Sequence, residues 1–260
     1  KIIIEIRISR INKHQDYLAG ENGLITPFQL SGDDFPFHNR LVKHRYFLFP
    51  FTVAVGQVQT VYVYADKYSE TILLKMLLHD ENYFQEADQV STFIFSLYIG
   101  VLLCICLIIG ITAILVRKLL LLYFLLYSVS VSFILIAWTG LGFQYFWPNY
   151  PYFNSICGNL FNIVALLSLM VLTRTYLETK KHFPRFERVL LYLQYLLVTF
   201  LLYLCFYRLF SDSIGHVLVI LRMFFQLLYM GSIFMITLLT YLKEGNLDHL
   251  IFLSVFFFAL

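Results

Sequence analysis

Between Gly32 and Arg45 the chain crowds two aspartates, two phenylalanines, two histidines and two arginines into one stretch, GDDFPFHNR followed after three residues by His44-Arg45. The chemistry these types can do is recognition. An arginine offers a planar fork that matches a carboxylate, and aromatic rings offer stacking faces to a sugar. Asp33, Asp34, Phe35, Phe37, Arg40, His44 and Arg45 are therefore candidate contacts for a small ligand. The same stretch also reads as an ordered surface connection, with Phe35 and Phe37 plugging the layer beneath it.

A second polar group lies in otherwise apolar sequence. Arg222 is followed at i+4 by Gln226, and Asn159 is followed at i+3 by Asn162, spacings that share a helix face. The four could form a polar pocket inside a helix bundle. The alternative is that Arg222 snorkels to an interface while the amides tie helices together. The basic run Thr173–Arg188 reads either as a docking surface or as an ordinary cytoplasmic loop. Other chemistries find no support. There is no Cys-x-x-Cys or His/Cys metal spacing, no glycine-rich phosphate loop, and no nucleophile–base pair, so no metal or cofactor is expected. Between Phe93 and Leu242 the only acids are Glu178, Glu187 and Asp212, and all three read as loop residues. A net charge of +3 does not suggest nucleic acid.

The elements that must position these residues are of two kinds. The chain has 260 residues, 60% of them hydrophobic and only 13% charged, about half the charge of a soluble domain, where roughly 25% is usual. Residues 1–90 hold short alternating runs: Ile4, Ile6 and Ile8 against Glu5 and Arg7, then Phe47–Val53 with Pro50 marking an edge or a bulge, Val58–Ala65, and Ile72–Leu78. Asn12–Gly23 reads as polar turn sequence, and Asp80–Gln89 as an acidic linker. The expectation is part of an antiparallel β-sandwich. Residues 91–260 divide into apolar spans near Thr92–Val116, Leu119–Thr139, Cys157–Leu172, Val189–Tyr207 and Val217–Leu242, with a sixth starting near Leu250. The second span runs into Gly140-Leu141-Gly142-Phe143-Gln144-Tyr145-Phe146-Trp147-Pro148, an interfacial aromatic loop in which the glycines loosen the helix end. Arg117, Lys118, Arg174, Lys180, Lys181, Arg185, Arg188 and Lys243 fall on one side of these spans, with only Arg208 at a helix end on the other. Lysine and arginine stay cytoplasmic, so the β domain and the aromatic loop lie outside. A start at Lys1 and an end inside an apolar run suggest a piece truncated at both ends.

These residues carry a resemblance. GDDFPF with Arg40, the strands YFLFPF and YVYA, the span opening FIFSLYIGVLL, and YFLLYSVSVSFILIAWTGLGFQYFWPN together resemble the bacterial seven-transmembrane receptors with diverse intracellular signalling modules. The N-terminal part is similar to that family's second type of extracellular domain, a jelly-roll-like sandwich proposed to bind carbohydrate-like or other small ligands. The resemblance implies a multi-pass receptor in the bacterial inner membrane, with about six of seven helices present and no enzymatic activity of its own. Ligand binding outside would be passed through the bundle to a cytoplasmic signalling module in cis, such as a histidine kinase or a diguanylate cyclase. Gln144, Tyr145, Trp147 and Pro148 are the candidate coupling loop between domain and bundle, with Asp80–Gln89 beside them. The expected partners are the lipid bilayer, a small ligand and the cis module, with a homodimer left open as an assembly. The rival reading is a membrane transporter or channel with an accessory β domain, which inverted repeats or broken helices would favour.

Overall fold

The computed structural model describes residues 2–8, 10–19, 25–28, 30–54, 56–67, 74–206 and 212–245. Among these residues, six strands form two three-stranded antiparallel sheets. The first places β1 (Ile2–Ile6) between β4 (Phe47–Phe51) and β6 (Met76–Asp80), with Ile4 opposite both Phe49 and Leu78. The second places β2 (Lys13–Ala19) between β3 (Ile25–Pro27) and β5 (Thr60–Asp66). Ile6, Ile11 and Phe47 form a buried cluster, and Ile4 and Ile8 pack against it together with Val63 and Ala65 of the second sheet. Phe28 meets Phe49 edge-on at 4.6 Å. Pro50 sits on β4, an edge strand of its sheet, where its missing N–H breaks no ladder.

Three expectations fail in this domain. Lys13–Ala19, read as part of a polar turn, is a strand: its alternate residues His14 and Asp16 are buried and bring polar groups inward, which hid the period. Glu5 was expected to face water opposite the isoleucines, yet it is 2% exposed, because Arg7 and His79 supply its partners at 3.1 and 3.0 Å. The stretch read as a linker is no linker. β6 ends at Asp80 and α1 (Glu81–Val116) starts at the next residue, with Asp80 accepting the Asn82 N–H at 3.1 Å as an N-cap. The strand reading at Ile72–Leu78 is only partly within the described residues, where β6 begins at Met76.

Among the described residues, five helices are long and apolar enough to cross a membrane: α1, α2 (Leu119–Trp138), α3 (Pro151–Tyr176), α5 (Pro184–Phe206) and α6 (Asp212–Glu244). A four-residue helix, α4 (Thr179–His182), lies between α3 and α5. The sixth span, from Leu250, lies outside the described residues. Hydroxyls within the spans donate one turn back to carbonyls, as Ser130 to Leu126 and Thr237 to Ile233, so they cross an apolar layer satisfied. The stretch Ser211–His216 reads as a short polar turn in the sequence; its described part, Asp212–His216, belongs to α6, and Glu187, read as a loop residue, belongs to α5.

By compactness the chain divides into two units. One is Lys1–Leu103 with Ser132–Gly158, and the other is Cys104–Val131 with Asn159–Leu260. The first unit therefore joins the sandwich to the ends of α1, α2 and α3 that adjoin it.

Candidate functional site

The loop from Gly32 to Arg45 is fixed at its start by a glycine. Gly32 has φ +136°, and a Cβ there would lie 2.2 Å from the Asn12 carbonyl oxygen. The close approach lets the Asp33 and Asp34 N–H groups donate to the carbonyls of Ile11 and Asn12 at 2.7 and 3.2 Å. Asp33 turns inward and Asp34 outward, where Asn12 holds its carboxylate at 3.1 Å. Arg40 is 5% exposed. Its Nη1 donates to the carbonyls of His44 and Arg45 at 2.9 and 2.8 Å, and its Nη2 to Asp33 at 3.3 Å. Its guanidinium lies 4.1 Å from the centre of the Phe47 ring and 4.9 Å from that of Phe37. Burial pushes the Asp33 carboxyl up to about 6, against the pull of Arg40, and lowers Arg40 to about 10. Arg40 thus shapes the loop from within, and its charge is turned away from solvent.

What the loop does present is His44 and Arg45, and they meet α1. His44 Nε2 and Arg45 Nη2 both bond the same oxygen of Asp88, at 3.0 and 3.3 Å, and Arg45 Nη2 also donates to Ser91 at 2.8 Å. Arg45 lies over Tyr46 and Phe95, with its guanidinium carbon 5.1 and 4.9 Å from the ring centres. The Tyr46 N–H donates to His44 Nδ1 at 3.1 Å, so the ring proton resides on Nε2 and points at Asp88. Burial pulls the His44 pKa below its ordinary value; Asp88 opposes the shift without reversing it. Beside this grip is a cleft of about 290 Å³ lined by His44, Arg45, Asp88, Thr92, Gln144 and Tyr145, among others.

The aromatic loop closes the other side. Gly140, at φ +78°, ends the helical path of α2, and Gly142–Phe146 forms a π-helical turn. Gly142 serves packing more than looseness: a Cβ there would lie 2.1 Å from the Trp147 ring. Trp147, expected at the interface, is 6% exposed and donates Nε1–H to Asn154 at 3.0 Å, while Tyr145 and Phe146 are the exposed aromatics of the turn. Pro151 opens α3 at its first position, where a missing N–H costs nothing. The sandwich reaches this loop at several points. The Phe37 N–H donates to the Pro148 carbonyl at 2.8 Å, and the Phe37 ring meets Phe143 edge-on at 5.6 Å. Gln144 reaches the Lys43 carbonyl at 3.5 Å, and just past the loop Arg10 donates to the Ser155 carbonyl in the first turns of α3 at 2.9 Å.

Of the expected ligand contacts, then, Phe37 packs into the aromatic loop, Phe35 is half-buried, and His44 and Arg45 line the cleft together with Gln144 and Tyr145 of the coupling loop. The polar pocket is a different matter. Asn159, Asn162 and Gln226 are half-buried, and the side chain of Arg222 lies outside the described residues. Asp88 and Phe143 lie in stretches the sequence marked, Asp80–Gln89 and the aromatic loop, but neither was singled out as a contact. Asp88, Ser91 and Thr92 share a helix face, a signal that only a helix beginning before the apolar span would have revealed. Also unnoticed was a polar knot in the second unit. Glu187 accepts from Arg174 through one oxygen and from Thr179 through the other at 2.6 Å, and Arg174 donates to Gln194 at 2.7 Å. It ties α3, α4 and α5 together at the end where the basic residues gather. Among the described residues no group of three metal-binding side chains occurs.

Comparison with known families agrees with this arrangement in both parts. Residues 91–260 match the family model described as 7TM diverse intracellular signalling, and residues 1–80 match the one described as 7TMR-DISM extracellular 2. No curated protein and no solved structure matches the chain. With a β-sandwich running directly into apolar helices and both family models satisfied in that order, the chain belongs to the seven-transmembrane receptors with diverse intracellular signalling, as a multi-pass membrane protein with its N-terminal domain extracellular.

Proposed function

We propose that the β-sandwich senses a small extracytoplasmic ligand and that the signal leaves it along α1 and the aromatic loop, toward a cytoplasmic signalling module in cis. The observation that carries this reading is the mechanical continuity of β6 and α1. A change in the sheet has no flexible segment in which to dissipate, since Asp80 ends the strand and caps the helix. The His44–Arg45 grip on Asp88 and the Phe37 contacts with Pro148 and Phe143 tie the Gly32–Arg45 loop to the same helical ends. A ligand shifts such a system only by binding one arrangement of the joint better than another. The chain itself is a receiver, and any catalytic output belongs to the cis module.

The test is signalling output from the complete receptor in its membrane, with Phe37→Ala compared with the unmodified protein at matched abundance. Loss of the Phe37–Phe143 contact should change basal output or ligand response while the β domain stays folded. Unchanged output at every ligand level would refute coupling through this joint.

A further inference from the structure

We infer that the cleft beside His44 and Arg45 is a carboxylate-binding site in which a ligand carboxylate displaces Asp88; the inference rests on the receptor reading and gives its ligand a chemical class. The present grip is incomplete. Asp88 uses a single oxygen for both His44 Nε2 and Arg45 Nη2. Arg45, 2% exposed, keeps Nε and Nη1 out of water with no hydrogen-bond acceptor among the described residues. Buried donors left without acceptors are costly, and an arginine satisfied end-on by both oxygens of one carboxylate is the favoured arrangement. Asp88, tethered to α1, reaches Arg45 with that one oxygen only and leaves Nη1 without an acceptor. A free carboxylate, with no backbone tether, can span Nη1 and Nη2 and still accept from His44.

The surroundings fit an exchange of this kind. The Asp88 side chain is 27% exposed and so has a path to solvent, whereas Arg45 and His44 are held by Tyr46, Phe95 and the Arg40-bonded carbonyls. Swapping one carboxylate for another preserves charge, so the buried guanidinium is never left without a counter-ion. The cleft of about 290 Å³ admits a small acid, and Gln144, Thr92 and Tyr145 line it with further polar groups for the rest of the ligand. Because Asp88 sits on α1 and Gln144 on the aromatic loop, displacement would release the Gly32–Arg45 loop from the helix while the ligand bridges it to the aromatic loop. Occupancy would thereby be read at the start of the transmembrane path.

The experiment uses the purified chain in lipid nanodiscs at constant pH and ionic strength. Acetate, succinate and glucuronate are titrated by calorimetry beside their neutral counterparts acetamide, succinamide and glucuronamide. The expected result is binding of one or more acids and of none of the amides. Asp88→Asn, which removes the internal competitor at a part-exposed position, should tighten acid binding about tenfold, and Arg45→Lys should weaken it by a similar factor. Acids and amides binding alike, an Asp88→Asn variant that binds acids no more tightly, or no binding of any acid to either protein would overturn the inference. A failure here alongside a change of output in Phe37→Ala would discard the carboxylate and leave the receptor reading standing.

Discussion

Replacing Gly142 by alanine tests the packing of the aromatic loop most directly. The substitution adds one methyl group, and that methyl would lie 2.1 Å from Trp147 Cζ2 and 2.5 Å from Cη2. Backbone strain is not the cause of the expected damage, since Gly142 begins the π-helical turn and lacks the positive φ of Gly140. Relief requires the indole to move by about an ångström or more, which breaks its 3.0 Å bond to Asn154 and disturbs the edge-on contact with Phe153 at 5.2 Å. Overpacking of this kind costs about 1–3 kcal/mol. Leaving the Asn154 acceptor, 3% exposed, without its donor adds about 1–3 kcal/mol. The assay is thermal unfolding of the purified chain, where 1 kcal/mol corresponds to roughly 2–4 °C for a chain of this size. Gly100→Ala, with nothing within 4 Å of its Cβ, is the matched control and should not lower the midpoint. Trp147→Phe removes the atoms in the way, so in that background Gly142→Ala should lose most of its effect. Equal costs in both backgrounds, or a midpoint no lower than that of the control, would refute the reasoning.

Gly32→Ala should also destabilise the sandwich, by about 2 kcal/mol or more, because a positive φ and a backbone oxygen at 2.2 Å leave no flexible neighbour to give way; a midpoint within a degree of the unmodified protein would contradict this. His44 is held neutral in the fold, its pKa lowered by burial with Asp88, Arg45 and Glu5 as the charged groups acting on it. Its contribution is therefore complete above its ordinary value of 6.5 and is lost as pH falls through that value toward the lowered one. The difference in stability between the unmodified protein and His44→Gln should accordingly shrink from pH 7.5 to pH 5.5. The buried Asp33, raised to about 6, works in the opposite sense and is common to both proteins, so it cancels from that difference. Glu187→Gln should cost about 1–3 kcal/mol by leaving Arg174 with a weakened partner, a figure reduced for its partial exposure. Adding Arg174→Gln should recover part of that loss, and strictly additive costs would show that the two side chains are not coupled.

Apolar runs and the one-sided distribution of lysine and arginine were sufficient to read a β domain followed by membrane spans, because spanning length and cytoplasmic charge are constraints of the bilayer and need no knowledge of neighbours. Pro50 likewise marked an edge or a bulge from covalent structure alone, and the fold places it on an edge strand. Local pattern failed wherever a polar side chain found its partner far along the chain. β2 was unreadable as a strand because His14 and Asp16 are buried. Glu5 looked solvent-facing because His79, 74 residues on, is not visible beside it. Arg40 looked like a ligand contact, and tertiary structure instead surrounds it with Asp33, two carbonyls and aromatic rings. His44 and Arg45 were legible as candidates by type, but their meeting with Asp88 depended on α1 beginning eleven residues before the apolar span does, a choice made by the Asp80 cap and by packing. Sequence determines which residues can bear a charge or stack a ring. Which of those charges remain available to a ligand is decided only when the fold has placed their internal partners, because a buried charge takes whatever partner lies within hydrogen-bonding distance.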